Sequence, residues 1–149
     1  MNTYIIAHII HLFCAITFVG GVFFETLILS ALHTGKVSRE SRREVERALS
    51  HRAVRVMPWV VGILFVSGIT MALNRYTQAF AHPFTSSFSM QLCLKVLLAC
   101  SVLVHFFIAV VKMRRHTLTV RWSKYIHSMV LVHMILIIQL AKGMFYFSW

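Results

Sequence analysis

The fold is decided by an apolar stretch near the start of the chain, His8-Ile-Ile-His11-Leu-Phe-Cys-Ala-Ile-Thr-Phe-Val-Gly20-Gly21. It belongs to a longer run, residues 4–32, in which Glu25 is the only acidic residue. Apolar segments of about 18 residues or more are long enough to cross a bilayer as a helix. Ionisable side chains are costly inside such segments and usually serve a ligand, an ion or a proton. We therefore look for the function of this chain among its intramembrane histidines.

The composition of the whole chain is that of an integral membrane protein with no appreciable soluble domain. Of its 149 residues 58% are hydrophobic and 13% are charged, and the net charge is +11. The cations concentrate in residues 33–55 and 113–124, which flank apolar runs. Basic residues in such positions act as topology signals and contact anionic lipids. We therefore predict a lipid bilayer as the partner of these cations, and no nucleic acid.

The hydropathy pattern predicts an all-α integral membrane protein, with four transmembrane helices in an antiparallel bundle and a single domain over residues 1–149. The helices are expected at about 4–32, 56–73, 88–112 and 125–147. Residues 36–55 have apolar positions at helical spacing, so we expect a surface helix that continues into the second span. Pro58 is expected in the first turn of that span, where a missing N–H is tolerated.

Charge in the connections predicts the orientation of the bundle. Connections 33–55 and 113–124 are basic, whereas connection 74–87 contains Arg75 as its only cation. Basic connections stay in the cytoplasm. Both termini are therefore expected on the non-cytoplasmic side of a bacterial-type inner (plasma) membrane.

Two histidines are predicted to lie at one depth on consecutive helices. His105 precedes Arg114 by nine residues, and His133 follows Lys124 by nine residues. At about 1.5 Å of rise per residue, both imidazoles lie about 13 Å inside the basic boundary. Two histidines at one level of a helical bundle are what a b-type haem needs as axial ligands. The alternative is that each histidine hydrogen-bonds a backbone carbonyl or a neighbouring helix.

A second group of polar side chains is expected nearer the opposite face. His8 and His11 lie about two turns inside that boundary, and Lys95 should reach a similar depth on the third helix. An ammonium group at that depth needs a partner, and it is a candidate proton carrier or ligand. Glu25 is a weaker relay candidate, or it pairs with a histidine or a cation. The other histidines lie near boundaries, where a solvated imidazole needs no explanation: His33, His51, His82, His116 and His127.

Short motifs in the first three helices resemble those of two related membrane-protein families. The motifs are His11 with Gly20-Gly21, then Ser67-Gly68, then Leu94-Lys95-Val-Leu-Leu. They are similar to CopD-type copper-resistance proteins and to HemJ-type protoporphyrinogen oxidases. The likeness to the second family extends to Met57-Pro58 and to His105. It implies a bound b-type haem and essential roles for His11 and Lys95.

The chain also departs from both families. Phe18 stands where both favour tryptophan, and Glu25-Thr26 replaces the Pro-Arg pair of HemJ-type proteins. The fourth helix carries His127 and His133 in place of an Asn-Glu-x-Pro pattern. These extra histidines favour a cytochrome-like protein over a porphyrinogen oxidase.

The leading hypothesis is a membrane protein that binds one or two haem b groups per chain and works in electron transfer or haem-linked oxidation. Its candidate residues are His8, His11, Lys95, His105 and His133, with Arg52, Arg55, Arg114 and Arg115 available for the haem propionates. One alternative is oxidation of protoporphyrinogen IX through His11 and Lys95. Another is copper transport or tolerance, with the metal on His11, His105 and His133. A third is a structural subunit. A redox partner or quinone and a homodimer are also predicted.

Overall fold

The computed structural model describes residues 2–33, 37–115 and 117–146. Helix α1 covers Asn2–Phe23 and continues as a π-helical segment, Phe24–Ile28, and a 3-10 turn, Leu29–His33. The remaining helices are α2 (Arg39–Arg75), a short α3 (Thr77–Ala81), α4 (Ser87–Arg114) and α5 (Val120–Tyr146). Within the described residues, four helical segments are long and apolar enough to cross a membrane. The predicted all-α, four-helix membrane fold is confirmed.

Serine side chains mark the beginnings of α2 and α4. Ser38 Oγ accepts a hydrogen bond from the Ser41 N–H at 3.1 Å, and Ser86 Oγ accepts one from the Ser89 N–H at 3.1 Å. Each cap satisfies an N–H group that the first turn of a helix leaves without a partner. Helix α2 therefore begins directly after Ser38, well before its apolar half.

Pro58 is not in the first turn of a helix, as the sequence suggested, but inside α2. The basic segment and the second span form one uninterrupted helix, so the residues before the proline are already helical. A proline inside a membrane helix is tolerated where neighbouring helices and local adjustments satisfy the freed backbone groups.

The four long helices pack mainly as two antiparallel hairpins, α1 with α2 and α4 with α5. The hairpins meet in a small core in which the Phe18 and Phe106 rings contact edge to face, with centroids 5.9 Å apart. Large apolar side chains such as Ile16 and Phe107 point outward and are 60% and 68% exposed. Such a surface suits lipid rather than water.

Aromatic side chains gather at both ends of the bundle. At the end opposite the basic connections, the Tyr4 and Tyr76 hydroxyls are 3.1 Å apart and the Arg75 guanidinium lies 5.2 Å from the Tyr4 ring. Burial and the hydrogen bond to Tyr4 raise the pKa of Tyr76 to about 12. At the basic end, the Lys112 ammonium lies 5.0 Å from the Trp122 ring. Amphipathic rings in these positions are typical of membrane interfaces.

Candidate functional site

His11 is held between α1 and α2. Its Nδ1 donates a hydrogen bond to the Leu64 carbonyl oxygen at 2.9 Å and lies 3.2 Å from Ser67 Oγ. Because a carbonyl oxygen can only accept, Nδ1 carries the ring proton. The Nε2 lone pair of His11 is therefore available to a proton or a metal.

The Ser67-Gly68 pair forms the surface on which the His11 ring lies. Ser67 is buried and donates its hydroxyl to the carbonyl groups of its own helix. A Cβ atom at Gly68 would lie 3.1 Å from His11 Cε1 and 3.4 Å from Nδ1. A side chain at residue 68 would therefore push the ring out of its place. The motif that carried the family resemblance thus has a local structural role.

Lys95 on α4 approaches His11 from a third helix. Lys95 and His8 both lie close enough to His11 to interact with it electrostatically, and His8 packs against the Tyr4 ring at 5.9 Å. Among the residues that the structure describes, the Lys95 ammonium has no hydrogen-bond or ion-pair partner. An ionisable side chain within a membrane span is by default a candidate for a functional site. The structure thus brings His8, His11 and Lys95 together.

His105 and His133 lie side by side on α4 and α5, with ring centroids 5.8 Å apart and planes inclined at 48°. His105 Nδ1 donates to the Ser101 carbonyl at 2.8 Å, and His133 Nδ1 donates to the Met129 carbonyl at 2.7 Å. The Ser101 hydroxyl then donates to His133 Nε2 at 3.1 Å. This network ties the two helices to each other at one level.

A haem plane does not fit between these two rings in the closed hairpin. An iron held by two imidazoles needs both Nε2 atoms pointed at it from opposite faces, with metal–nitrogen bonds of about 2 Å. Here the rings contact each other and Ser101 occupies His133 Nε2. A haem at this level would have to part α4 from α5. The arrangement corresponds to the alternative in which each histidine binds a backbone carbonyl.

The donor set around His11 does fit a single axial ligand. Histidines that bind metals usually donate their other ring N–H to a carbonyl or a carboxylate, which fixes the tautomer. Four histidines donate Nδ1–H to a carbonyl in the described structure, namely His11, His105, His127 and His133. Of these, His11 and His105 keep Nε2 without a hydrogen-bond partner there.

The four arginines proposed for haem propionates are not near His11. Arg52 and Arg55 lie on α2 and Arg114 and Arg115 at the end of α4, all exposed at the basic end. Arg55 donates to His51 Nε2 at 3.5 Å. Because His11 and Lys95 lie towards the opposite end, these arginines and the His11 site are separate.

Glu25 contacts a histidine, one of the two kinds of partner that the sequence predicts for it. The Glu25 carboxylate lies 3.0 Å from His127 Nε2, and His127 Nδ1 donates to the Ser123 carbonyl at 2.7 Å. The sequence alone places His127 near a boundary and predicts no role for it. A signal was present, since Phe18, Val22 and Glu25 have the spacing of one helical face and the first two are buried.

A copper site of several ligands is not assembled within the described residues. No group of three or more histidine, cysteine or acidic side chains could hold a metal there. Cys14, Cys93 and Cys100 are free thiols. The predicted copper ligands, His11, His105 and His133, therefore do not form one centre in this chain.

These observations define a four-span α-helical membrane protein with polar groups at three levels of its bundle. Searches with this chain found no matching protein-family model, no matching curated protein and no matching solved structure. The likeness to HemJ-type and CopD-type proteins rests on the short motifs of the first three helices.

Proposed function

We propose that the protein binds haem b through His11 and works in electron transfer or haem-linked oxidation in the membrane. The observation that carries this proposal is the His11 imidazole, whose Nδ1–H is held by the Leu64 carbonyl. No described residue hydrogen-bonds its Nε2. When bound, haem supplies one-electron redox chemistry. The residues of the chain hold the imidazole in a fixed tautomer and orientation.

Lys95 has a complementary role in the proposal. An ammonium without a protein partner, placed among apolar side chains, is stabilised by a bound anion. Haem carries propionate carboxylates that meet this need, and the basic-end arginines are too far from His11 to do so. Lys95 therefore orients the group that His11 holds.

The first test is the absorption spectrum of the detergent-purified protein, oxidised and then reduced with dithionite, with haem quantified per chain. We expect a shifted Soret band and a sharp α-band at one haem per chain. Two haems per chain would require a second site, such as an opened His105–His133 hairpin. A colourless protein from haem-fed cells would contradict the proposal.

A second candidate function is oxidation of protoporphyrinogen IX. The observation that favours it is the proximity of His11 and Lys95, the two positions to which the HemJ-type resemblance assigns the essential roles. Complementation of a strain that lacks its protoporphyrinogen oxidase tests it, with Lys95→Met as the inactive control. Failure of a well-inserted wild-type protein to complement would remove this function and leave haem binding open.

The remaining proposals concern copper, assembly and location. Copper transport through the same histidines would give stoichiometric copper and no Soret band after purification. We propose a bacterial-type inner membrane with both termini on the non-cytoplasmic side, because the basic residues flank one end of the bundle. We also propose a quinone or another redox partner, since a small redox bundle needs an electron donor and acceptor. A homodimer is a separate part of the proposal.

A further inference from the structure

The contact between Glu25 and His127 is unusual for its position in the chain. Glu25 is the only acidic residue in the apolar part of the four spans, since Glu40, Glu44 and Glu46 lie in the first turns of α2. The Glu25 side chain is 44% exposed and that of His127 is 17% exposed. The carboxylate therefore faces outward while the imidazole faces the bundle interior.

Glu25 belongs to the π-helical segment Phe24–Ile28, in which the Leu29 N–H bonds the Phe24 carbonyl. The Thr26 hydroxyl bonds the Val22 carbonyl at 2.7 Å, a contact that loosens the regular helical ladder. Single π-helical turns within α-helices are frequent at functional sites. This irregular turn presents the carboxylate to α5.

A cavity of about 90 Å³ lies beside the pair, between all four long helices. A buried water needs at least about 10–15 Å³ and two or more polar partners, so the cavity has room for a few water molecules near Glu25 and His127. The rest of its wall is apolar, formed by residues such as Phe18, Met57, Phe106 and Val130.

No other titratable side chain lines this cavity from α1, α2, α4 or α5 in the described structure. The cations adjacent to cavity residues along the chain are Arg52 and Arg55, beside Ala53 and Val54, and Lys112 and Arg114, beside Met113. The three arginines are exposed, and the Lys112 ammonium lies over the Trp122 ring at 5.0 Å. Lys124, one turn before His127, is also exposed. Proton binding in the cavity is thus a property of Glu25 and His127 alone.

We propose that Glu25 and His127 form a proton-exchange site that links the basic end of the bundle to its interior. A hydronium ion in the water at the basic end gives a proton to the Glu25 carboxylate and leaves a water molecule, and the carboxyl O–H then passes this proton to His127 Nε2 across 3.0 Å. The products are the carboxylate and an imidazolium, whose Nδ1–H stays on the Ser123 carbonyl. Release of the Nε2 proton to cavity water restores the neutral ring in its original tautomer. Proton exchange at Glu25 and His127 does not need a haem. A coupling of this exchange to electron transfer rests on the proposed function.

The test is an infrared pH titration of the full-length protein in lipid nanodiscs, between about pH 5 and pH 9, in H2O and D2O. The chain has only four acidic side chains, so carboxyl bands can be assigned by substitution. We expect a protonated-carboxyl stretch that titrates and shifts in D2O. It should be absent in Glu25→Gln and unchanged in the matched control Glu40→Gln.

A second variant tests whether the protonation of Glu25 is coupled to His127. In His127→Gln the amide can still hydrogen-bond Glu25, but it cannot take a proton. The titration midpoint of the Glu25 band should move by about one pH unit or more, a tenfold change in proton affinity. An unchanged midpoint, or no titrating band that Glu25→Gln removes, would overturn the proposal.

The same samples separate this proposal from haem binding. A colourless protein with a titrating Glu25 would remove the haem proposal and retain the exchange site. A coloured protein whose Glu25 does not titrate would do the reverse. If Glu25→Gln does not insert, the wild-type titration with His127→Gln decides the result.

Discussion

The two ends of the bundle differ in whether their intramembrane ionisable groups have partners among the described residues. At the basic end, the Glu25 carboxylate and the His127 imidazole satisfy each other at 3.0 Å. Towards the opposite end, Lys95 lies beside His11 with no partner among the described residues. Two side chains that bind each other stabilise the folded chain without a ligand. A cation in a membrane span that has no partner lowers the free energy of unfolding unless a ligand binds it. On the proposals above, ligand binding belongs to the His11 end and proton exchange to the other.

The largest effect is expected from Lys95→Met, which removes the unpaired cation and keeps the length of the side chain. Haem binding should weaken by about tenfold to a hundredfold, because hydrogen bonds to charged groups contribute about 1.5–3 kcal/mol. The haem-free protein should instead become more stable by up to about 2.5–3.5 kcal/mol, the cost of a lysine at the centre of a membrane helix. Haem titration and unfolding in mixed micelles measure the two quantities, and a loss of stability in the haem-free protein would contradict the comparison.

A smaller effect is expected when the surface beneath His11 is filled. Gly68→Ala places a Cβ atom 3.1 Å from His11 Cε1, and overpacking of this kind costs about 1–3 kcal/mol. Gly62→Ala is the matched control on the same helix, because a Cβ atom there meets nothing within 4 Å. We expect the control to be neutral or stabilised by about 0.5–1 kcal/mol. Equal unfolding free energies and equal haem spectra for both variants would show that Gly68 does not support His11.

Ser101→Ala tests whether the middle level is structural. The substitution removes the hydrogen bond to His133 Nε2, and such bonds in membrane proteins contribute about 0.6 kcal/mol on average. We expect a stability loss of that size, measured by unfolding, with the haem spectrum unchanged. A displaced Soret band would mean that His133 acts at the haem after all.

The smallest effect concerns the tyrosines beside α3. The raised pKa of Tyr76, about 12, means that its hydroxyl stays protonated in the folded protein between about pH 10 and pH 12, where an ordinary tyrosine ionises. The stability that this protonated hydroxyl contributes is present below pH 10 and is lost as the pH rises through 12. Tyr4→Phe removes one cause of the shift, so tyrosinate absorbance from Tyr76 should appear at lower pH. An unchanged titration would assign the shift to burial alone.

Much of the fold follows from the sequence because hydropathy and length decide which segments enter a membrane. The four spans were predicted in this way. The sequence also predicts that the basic segment continues as a helix into the second span, and α2 is one helix over Arg39–Arg75. The placement of Pro58 in a first turn was wrong, since a proline preceded by charged residues also suits a helix start. Only contacts with neighbouring helices decide between these positions.

Less of the site follows from the sequence. Counting residues from the basic boundary placed His105 and His133 at one depth, but depth does not fix which way a ring points. The hydrogen bonds that these rings make with Ser101 and with backbone carbonyls depend on side-chain rotamers. The Glu25–His127 pair depends on the π-helical turn Phe24–Ile28. The helical spacing of Phe18, Val22 and Glu25 indicates only the face that carries the carboxylate, not the turn that directs it to α5.

The most direct test of the central claim compares His11→Ala with His105→Ala, because these two imidazoles leave Nε2 free in the described structure. Each variant is purified as the full chain, its helicity is checked by circular dichroism, and its reduced spectrum and haem content are measured beside wild type. We predict that His11→Ala loses the wild-type α-band and most of its haem, while His105→Ala keeps both. Loss of haem in His105→Ala with retention in His11→Ala would contradict the account.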